Sequence, residues 1–191
     1  MNLTQLIESF ESLTGQEDEI DTEVFVVWAN EAQDKISMEY GPMVEIDLGE
    51  KVSGDLYTLP TNFLKLENVF KDTEEYSGTL RKKLNQYLVI PEDGEWVLEY
   101  VRMSAPLTTA DIEQEPELHM LLHPLIPLYC AYKYHKMQSE GDPEELNLAN
   151  SYLEEFTFSL LEKALYLRTL WDGRSKGANN TEDTIGWRRG R

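Results

Sequence analysis

Cysteine is nearly absent from this chain. Cys130 stands alone, which excludes an internal disulfide framework and any zinc site built on several thiolates. Only three histidines occur in 191 residues. No run of about 18 apolar residues is present, so the sequence holds no membrane-spanning helix. The start, Met1-Asn2-Leu3-Thr4, lacks the basic-then-apolar pattern of a secretory signal. The expectation is a protein that stays in the cytoplasm where it is made, and the triplets Asn2-Leu3-Thr4 and Asn179-Asn180-Thr181 then carry no glycosylation meaning. Positive charge is scarce as well: 17 Lys and Arg face 36 Asp and Glu, a net charge of −19. Wide, non-specific binding of nucleic acid by the body of the protein is thereby disfavoured.

Motifs of common enzyme chemistries are missing. There is no Gly-rich phosphate loop, nucleophile elbow or Cys/His pair. The acidic stretch from Gly15 to Asp21 lacks the ligand spacing and central glycine of a calcium loop. Carboxylate pairs such as Glu74-Glu75 and Glu154-Glu155 are what solvated faces contain, and nothing separates two of them into an acid and a base. These readings point away from an enzyme, and no cofactor is expected.

What is present is the composition of a globular protein, 41% hydrophobic and 28% charged. The length suits one domain with an inserted subdomain. Leu3, Leu6, Ile7, Phe10 and Leu13 recur at helical spacing before Gly15, which predicts a short amphipathic helix. Asp21 caps a second helix, Ile20 staples against Phe25, and Val24, Val27, Trp28, Ala32 and Ile36 form its expected buried stripe up to Gly41-Pro42. From Met43 the period turns toward two: Val44, Ile46 and Leu48, then runs at 64–70, 87–90 and 96–103. The last two flank Pro91-Glu92-Asp93-Gly94-Glu95, which reads as a hairpin turn. Helical periodicity returns with Leu118, Leu121, Leu122, Leu125, Tyr129 and Tyr132, where Pro124 and Pro127 kink or restart the helix. A last helix opens with Asp142 as cap and Pro143 at its first position. Its seam is Leu146, Ala149, Leu153, Phe156, Leu160, Ala164, Leu167 and Trp171, ending before Gly173.

The fold expectation is therefore mainly α: an antiparallel four-helix bundle over residues 1–172, with a small antiparallel β insertion at about 43–104 and an extended C-terminal tail at 173–191. Charge divides the same way. Residues 173–191 carry five cations against Glu182 and Asp183, a net +3, which leaves −22 on residues 1–172.

Two groups of residues stand out as site candidates. His119 and His123 share a helical face four residues apart, but two ligands are fewer than a zinc site needs, so they are assigned to solvent or the bundle rather than to metal. His135 lacks even such a partner. The tail residues Ile185, Trp187, Arg188, Arg189 and Arg191 place a tryptophan beside three arginines, types enriched where proteins bind each other. An unstructured end or a small nucleic-acid contact is the plain alternative, and an acidic body makes a poor DNA binder.

Taken together, Leu59-Pro60-Thr61-Asn62-Phe63-Leu64-Lys65-Leu66, the strand Val97-Leu98-Glu99-Tyr100, Ala105-Pro106-Leu107-Thr108, and Glu117-Leu118 running into Leu128-Tyr129-Cys130-Ala131-Tyr132 resemble the head-to-tail adaptors of tailed phages. These are also called connector or head-completion proteins, and the tubular tail adaptors are similar. The resemblance covers most of residues 1–172. It implies a structural virion protein at the head-tail junction, a ring of copies, commonly twelve, beneath the portal protein. Such a ring extends the channel through which genomic DNA passes without sequence-specific binding, and it meets the next tail or neck component on its far side. It also implies that residues 173–191 reach the portal, with Ile185, Trp187, Arg188, Arg189 and Arg191 as the portal-binding set. No catalytic residue, metal or membrane contact follows from it. A second class fits the charge: an acidic DNA mimic or regulatory binding protein, whose carboxylates would form a phosphate-like array.

Overall fold

The computed structural model describes residues 1–15, 20–84 and 86–177, with side chains as far as Leu170 in the last helix. Its elements run α1 (Leu3–Thr14), α2 (Thr22–Tyr40), β1 (Met43–Lys51), β2 (Leu56–Thr58), β3 (Phe63–Lys71), β4 (Glu74–Glu75), β5 (Arg81–Lys83), β6 (Tyr87–Val89), β7 (Gly94–Arg102), a 3-10 turn (Met120–Leu122), α3 (Leu125–Gln138) and α4 (Pro143–Gly177).

The helix starts follow local chemistry. Asn2 and Gln5 form a reciprocal capping box at α1, and Gly15 closes that helix in the left-handed conformation, φ 63°. Asp21 accepts from the Glu23 N–H at 2.8 Å and Asp142 from the Glu144 N–H at 2.8 Å. Pro124 and Pro127 delay α3 to Leu125: Pro127 falls in the first turn, where its missing N–H has no helical partner to lose. All seven residues from Leu125 to Ala131 are buried, as expected of a helix surrounded by others. α1, α2 and α4 pack around it. Their core includes Phe10, which meets Phe25 edge-on at 5.6 Å and Tyr134 at 5.8 Å. That aromatic pair turns α2 so that Phe25, Trp28, Ala29, Ala32 and Ile36 face inward. The expected stripe is corrected at two positions, since Val24 and Val27 face solvent. α4 also continues past the expected stop before Gly173, to Gly177.

The expectation of a mainly α four-helix bundle is overturned. The described residues are 46% helical and 23% strand, with four α-helices and seven strands in two antiparallel sheets, a mixed α/β fold. The physical reason is that the stretch holds enough alternating apolar residues to build a second core. One sheet has the order β1-β7-β3-β4 and the other β2-β6-β5. Between them lie Leu59, Val69, Leu88, Ile90, Trp96 and Leu98, joined by Ile46, Leu48, Tyr57, Phe63 and Leu66. This cluster is separate from the helical one.

Sheet register corrects a further expectation. β6 and β7 are not a hairpin: the Asp93-Gly94 turn carries the chain from one sheet to the other, and β7 lies between β1 and β3. A two-residue hairpin instead joins β3 and β4, where Asp72 and Thr73 take φ 51° and 72° and Lys71 pairs with Glu74. Two consecutive left-handed residues match the right-handed twist of the strands.

A short joint fixes the β part to the helices. Arg102 N–H donates to the Pro42 carbonyl at 3.0 Å, and the buried hydroxyls of Ser37 and Ser104 lie 3.0 Å apart. The Arg102 guanidinium meets Glu117 at 2.8 Å. That cation, with the Ala105 N–H, holds the Glu117 carboxyl below its ordinary pKa.

Candidate assembly surfaces

The residues with the chemistry of a site are mostly spent on holding the fold. The His123 ring is buried between two fixed partners. Its Nε2–H donates to the Leu118 carbonyl at 2.9 Å, and its Nδ1 accepts from the Met1 amino group at 2.9 Å. That arrangement needs the neutral imidazole. Burial is the main cause that lowers its pKa, with the Met1 charge adding to it. His119 instead caps the 3-10 turn, its Nδ1 accepting from the Leu121 N–H at 3.3 Å. The expected shared helical face does not form, because the two residues flank that turn rather than sit in one helix. Among the described residues no group of three or more His, Cys, Asp or Glu is arranged to hold a metal. His135 donates from Nδ1 to Glu145 at 2.7 Å and stacks on Tyr152, joining α3 to α4.

Glu31, Lys133 and Tyr129 form a polar cluster between two helices. Glu31 accepts from Lys133 Nζ at 2.7 Å and from the Tyr129 hydroxyl at 3.2 Å. The lysine contact holds the Glu31 carboxyl below its ordinary pKa, while burial pushes the Tyr129 phenol well up. Cys130 is fully buried, and burial raises its thiol well above the usual range, so it stays protonated. The cluster ties α2 to α3.

The surface that remains unexplained by folding is apolar. On α4 the core side is Ala149, Phe156, Leu160, Ala164 and Leu167. Phe158, Leu161 and Leu165 lie on the side away from it at 71%, 55% and 66% exposure. Their spacing of three and four residues makes a continuous second stripe. The stripe borders a shallow groove between α2 and α4 lined by Lys35, Met38, Glu39, Phe156, Thr157, Leu160 and Leu161. Met38 adds 63% exposure on the α2 side. The periodic seam of α4 was legible in the sequence. The second stripe was not, because both sets of positions are apolar and only the packing tells them apart.

The tail set Ile185, Trp187, Arg188, Arg189 and Arg191 lies outside the described residues. Among the described residues no helix is long and apolar enough to cross a membrane. The chain matches no protein-family model and no curated protein.

Proposed function

We propose that this chain is a structural, non-enzymatic protein of a tailed-phage particle: a head-to-tail adaptor whose copies stand as a ring under the portal, extend the DNA channel and join head to tail. The observation that carries the reading is the outer stripe of α4. A contiguous apolar strip on a charged chain is costly to leave in water, and such strips mark surfaces that another protein covers. A chain built mainly to present surfaces for assembly needs such a strip, and the groups with reactive chemistry are tied up in holding helices together. The acidic body suits a channel wall that lets DNA pass without sticking. The basic, tryptophan-bearing tail supplies the docking segment for the portal.

The test is to mix the full chain with purified portal rings encoded in the same genome and to follow co-sedimentation and electron microscopy. A ring of this chain seated on one pole of the portal is the expected result. Absence of binding under any salt condition, together with tight binding to a DNA-processing enzyme, would replace this reading with that of an acidic DNA mimic.

A further inference from the structure

The two faces of the β module carry opposite charge. On β1, Glu45 lies opposite Glu99 of β7, Asp47 opposite Val97, and Glu50 opposite Glu95. Strict alternation would turn Glu50 to the other side. A bulge between Asp47 and Gly49 prevents this: Gly49 takes φ 65° and its N–H donates to Asp47 Oδ1 at 2.7 Å. Five carboxylates of β1 and β7 therefore share the outer face of this sheet, while Ile46, Leu48, Trp96 and Leu98 point inward. Two of the cross-strand pairs, Glu45 with Glu99 and Glu50 with Glu95, bring like charges directly opposite each other, which destabilises the folded chain. Asn68 donates to Glu99 at 2.6 Å, and Lys65, opposite Val101 on this face, is already held by Glu67.

The other sheet has the reverse character. β5 is its edge strand, and Arg81, Lys82 and Lys83 are all exposed. Lys82 turns inward over the Phe63 ring at 4.7 Å. Arg81 and Lys83 therefore point outward, in rows with Val89 and Tyr87 of β6 and Leu56 and Thr58 of β2. None of the three cations has an ion-pair partner among the described residues. Leu84, next in the chain, is 78% exposed.

We infer that the β modules of neighbouring copies stack head to tail, the basic outer face around Arg81 and Lys83 of one copy seating on the acidic outer face around Glu45 and Glu50 of the next. The occupant of each face is thus a second copy of this chain. Charge complementarity supports it, as does the spacing: Arg81 and Lys83, like Glu45 and Asp47, are two residues apart on a strand, about 6.6 Å. The contact also relieves both like-charge pairs, of which the bulge creates Glu50–Glu95. Because the two faces differ, the contact is heterologous, and heterologous contacts close into rings when the rotation allows. This inference rests on the ring proposed above and names one surface through which it is built.

The test uses two full-length variants. Arg81→Glu/Lys83→Glu makes both faces acidic, and Glu45→Lys/Glu50→Lys sets two cations against the Arg81 and Lys83 of the next copy, although Asp47, Glu95 and Glu99 stay in place. Asp47 is left in place because it holds the bulge. Native mass spectrometry and sedimentation should show each variant alone needing at least ~10-fold more protein to assemble than the wild type, since like charges then face each other. A mixture of the two should recover assembly in equal proportion. A second measurement needs no variant. Carbodiimide, which joins amines to carboxylates in direct contact, should link Lys83 of one wild-type copy to Glu45 or Glu50 of an isotope-labelled copy. Rings that form equally well from both variants, or that yield no such link, would place the contact elsewhere and leave the ring reading standing. A wild-type chain that never assembles, alone or on the portal, would overturn the ring and this contact together. A shift of short duplex DNA by the wild type that is lost in Arg81→Glu/Lys83→Glu would make the basic face a phosphate contact and overturn the inference.

Discussion

Asn30 holds Leu107 by both halves of its amide: Oδ1 accepts from the Leu107 N–H at 2.7 Å and Nδ2 donates to the Leu107 carbonyl at 3.0 Å. The side chain imitates a strand partner and pins the segment after β7 onto α2. Leu107 itself is buried in the helical core, so the clamp places an apolar anchor as well as satisfying two backbone groups. Asn30→Ala should lower stability by ~2–3 kcal/mol in urea unfolding, the usual effect of leaving two partly buried backbone groups without partners. Asn30→Asp keeps the acceptor and loses the donor, so its loss should be smaller. An Asn30→Ala midpoint equal to the wild type would show that water replaces the clamp at no cost.

Gly41 ends α2 where the helix meets β7. A Cβ at this position would stand 2.6 Å from the Arg102 carbonyl oxygen and 2.8 Å from both the Ser37 carbonyl and Val101 Cγ1. The neighbouring atoms are mostly backbone and have little freedom to give way. Gly41→Ala should therefore cost about 1–3 kcal/mol, in the range of overpacking. Its effect should be local: faster hydrogen exchange at the Arg102 N–H, which donates to Pro42 across the joint. Unchanged exchange there would show that the joint absorbs the extra methyl group.

These two residues show what sequence reading reaches. Gly41-Pro42 was legible as a helix stop, because proline acts on its immediate neighbour. The close approach of β7 was not, since it depends on a contact about 60 residues away in sequence. The same division runs through the chain. Caps at Asp21 and Asp142 and the left-handed Gly15 are local, and the sequence carries them. The alternation of Trp96, Leu98 and Tyr100 marks a strand but not its partners, so Asp93-Gly94 reads as a hairpin in the sequence, while Asp72-Thr73, without a glycine, carries no turn signal. Small β insertion and two-sheet module have the same local pattern. Only the pairing gives the second core and the charge of each face.

His123 sets a pH dependence. Its pKa is lowered in the folded chain, first by burial. In the unfolded chain it returns to about 6.5. Protons then bind the unfolded state more readily, so this contribution to stability is complete above about pH 6.5 and is lost as pH falls from there through the folded pKa. The structural consequence of protonation is loss of the acceptor that faces the Met1 amino group. Thermal melts between about pH 5 and pH 7.5 should show a steeper loss for the wild type than for His123→Gln, which has no proton to gain in this range. Parallel curves would remove His123 from the acid sensitivity of the protein.

The stripe on α4 and the tail should separate by function. Leu161→Glu/Leu165→Glu puts charge onto an apolar strip that is already exposed, so helical circular dichroism and the melt should stay close to those of the wild type. Burying those carboxylates between copies would be strongly unfavourable, so ring assembly should fail, including on the portal. Trp187→Ala/Arg188→Ala leaves the stripe and both β faces intact. Self-association should then persist while binding to the portal falls at least ~10-fold, because an aromatic anchor and its neighbouring arginine usually dominate a short interface. The two variants therefore part in native mass spectrometry of the chain alone, where the tail variant assembles and the stripe variant does not, and co-sedimentation with portal rings then shows whether the tail variant has lost the portal. Stripe variants that still form rings would show that the exposed apolar residues of α4 serve some other contact. Tail variants that sediment fully with the portal would assign the joint to the acidic body instead.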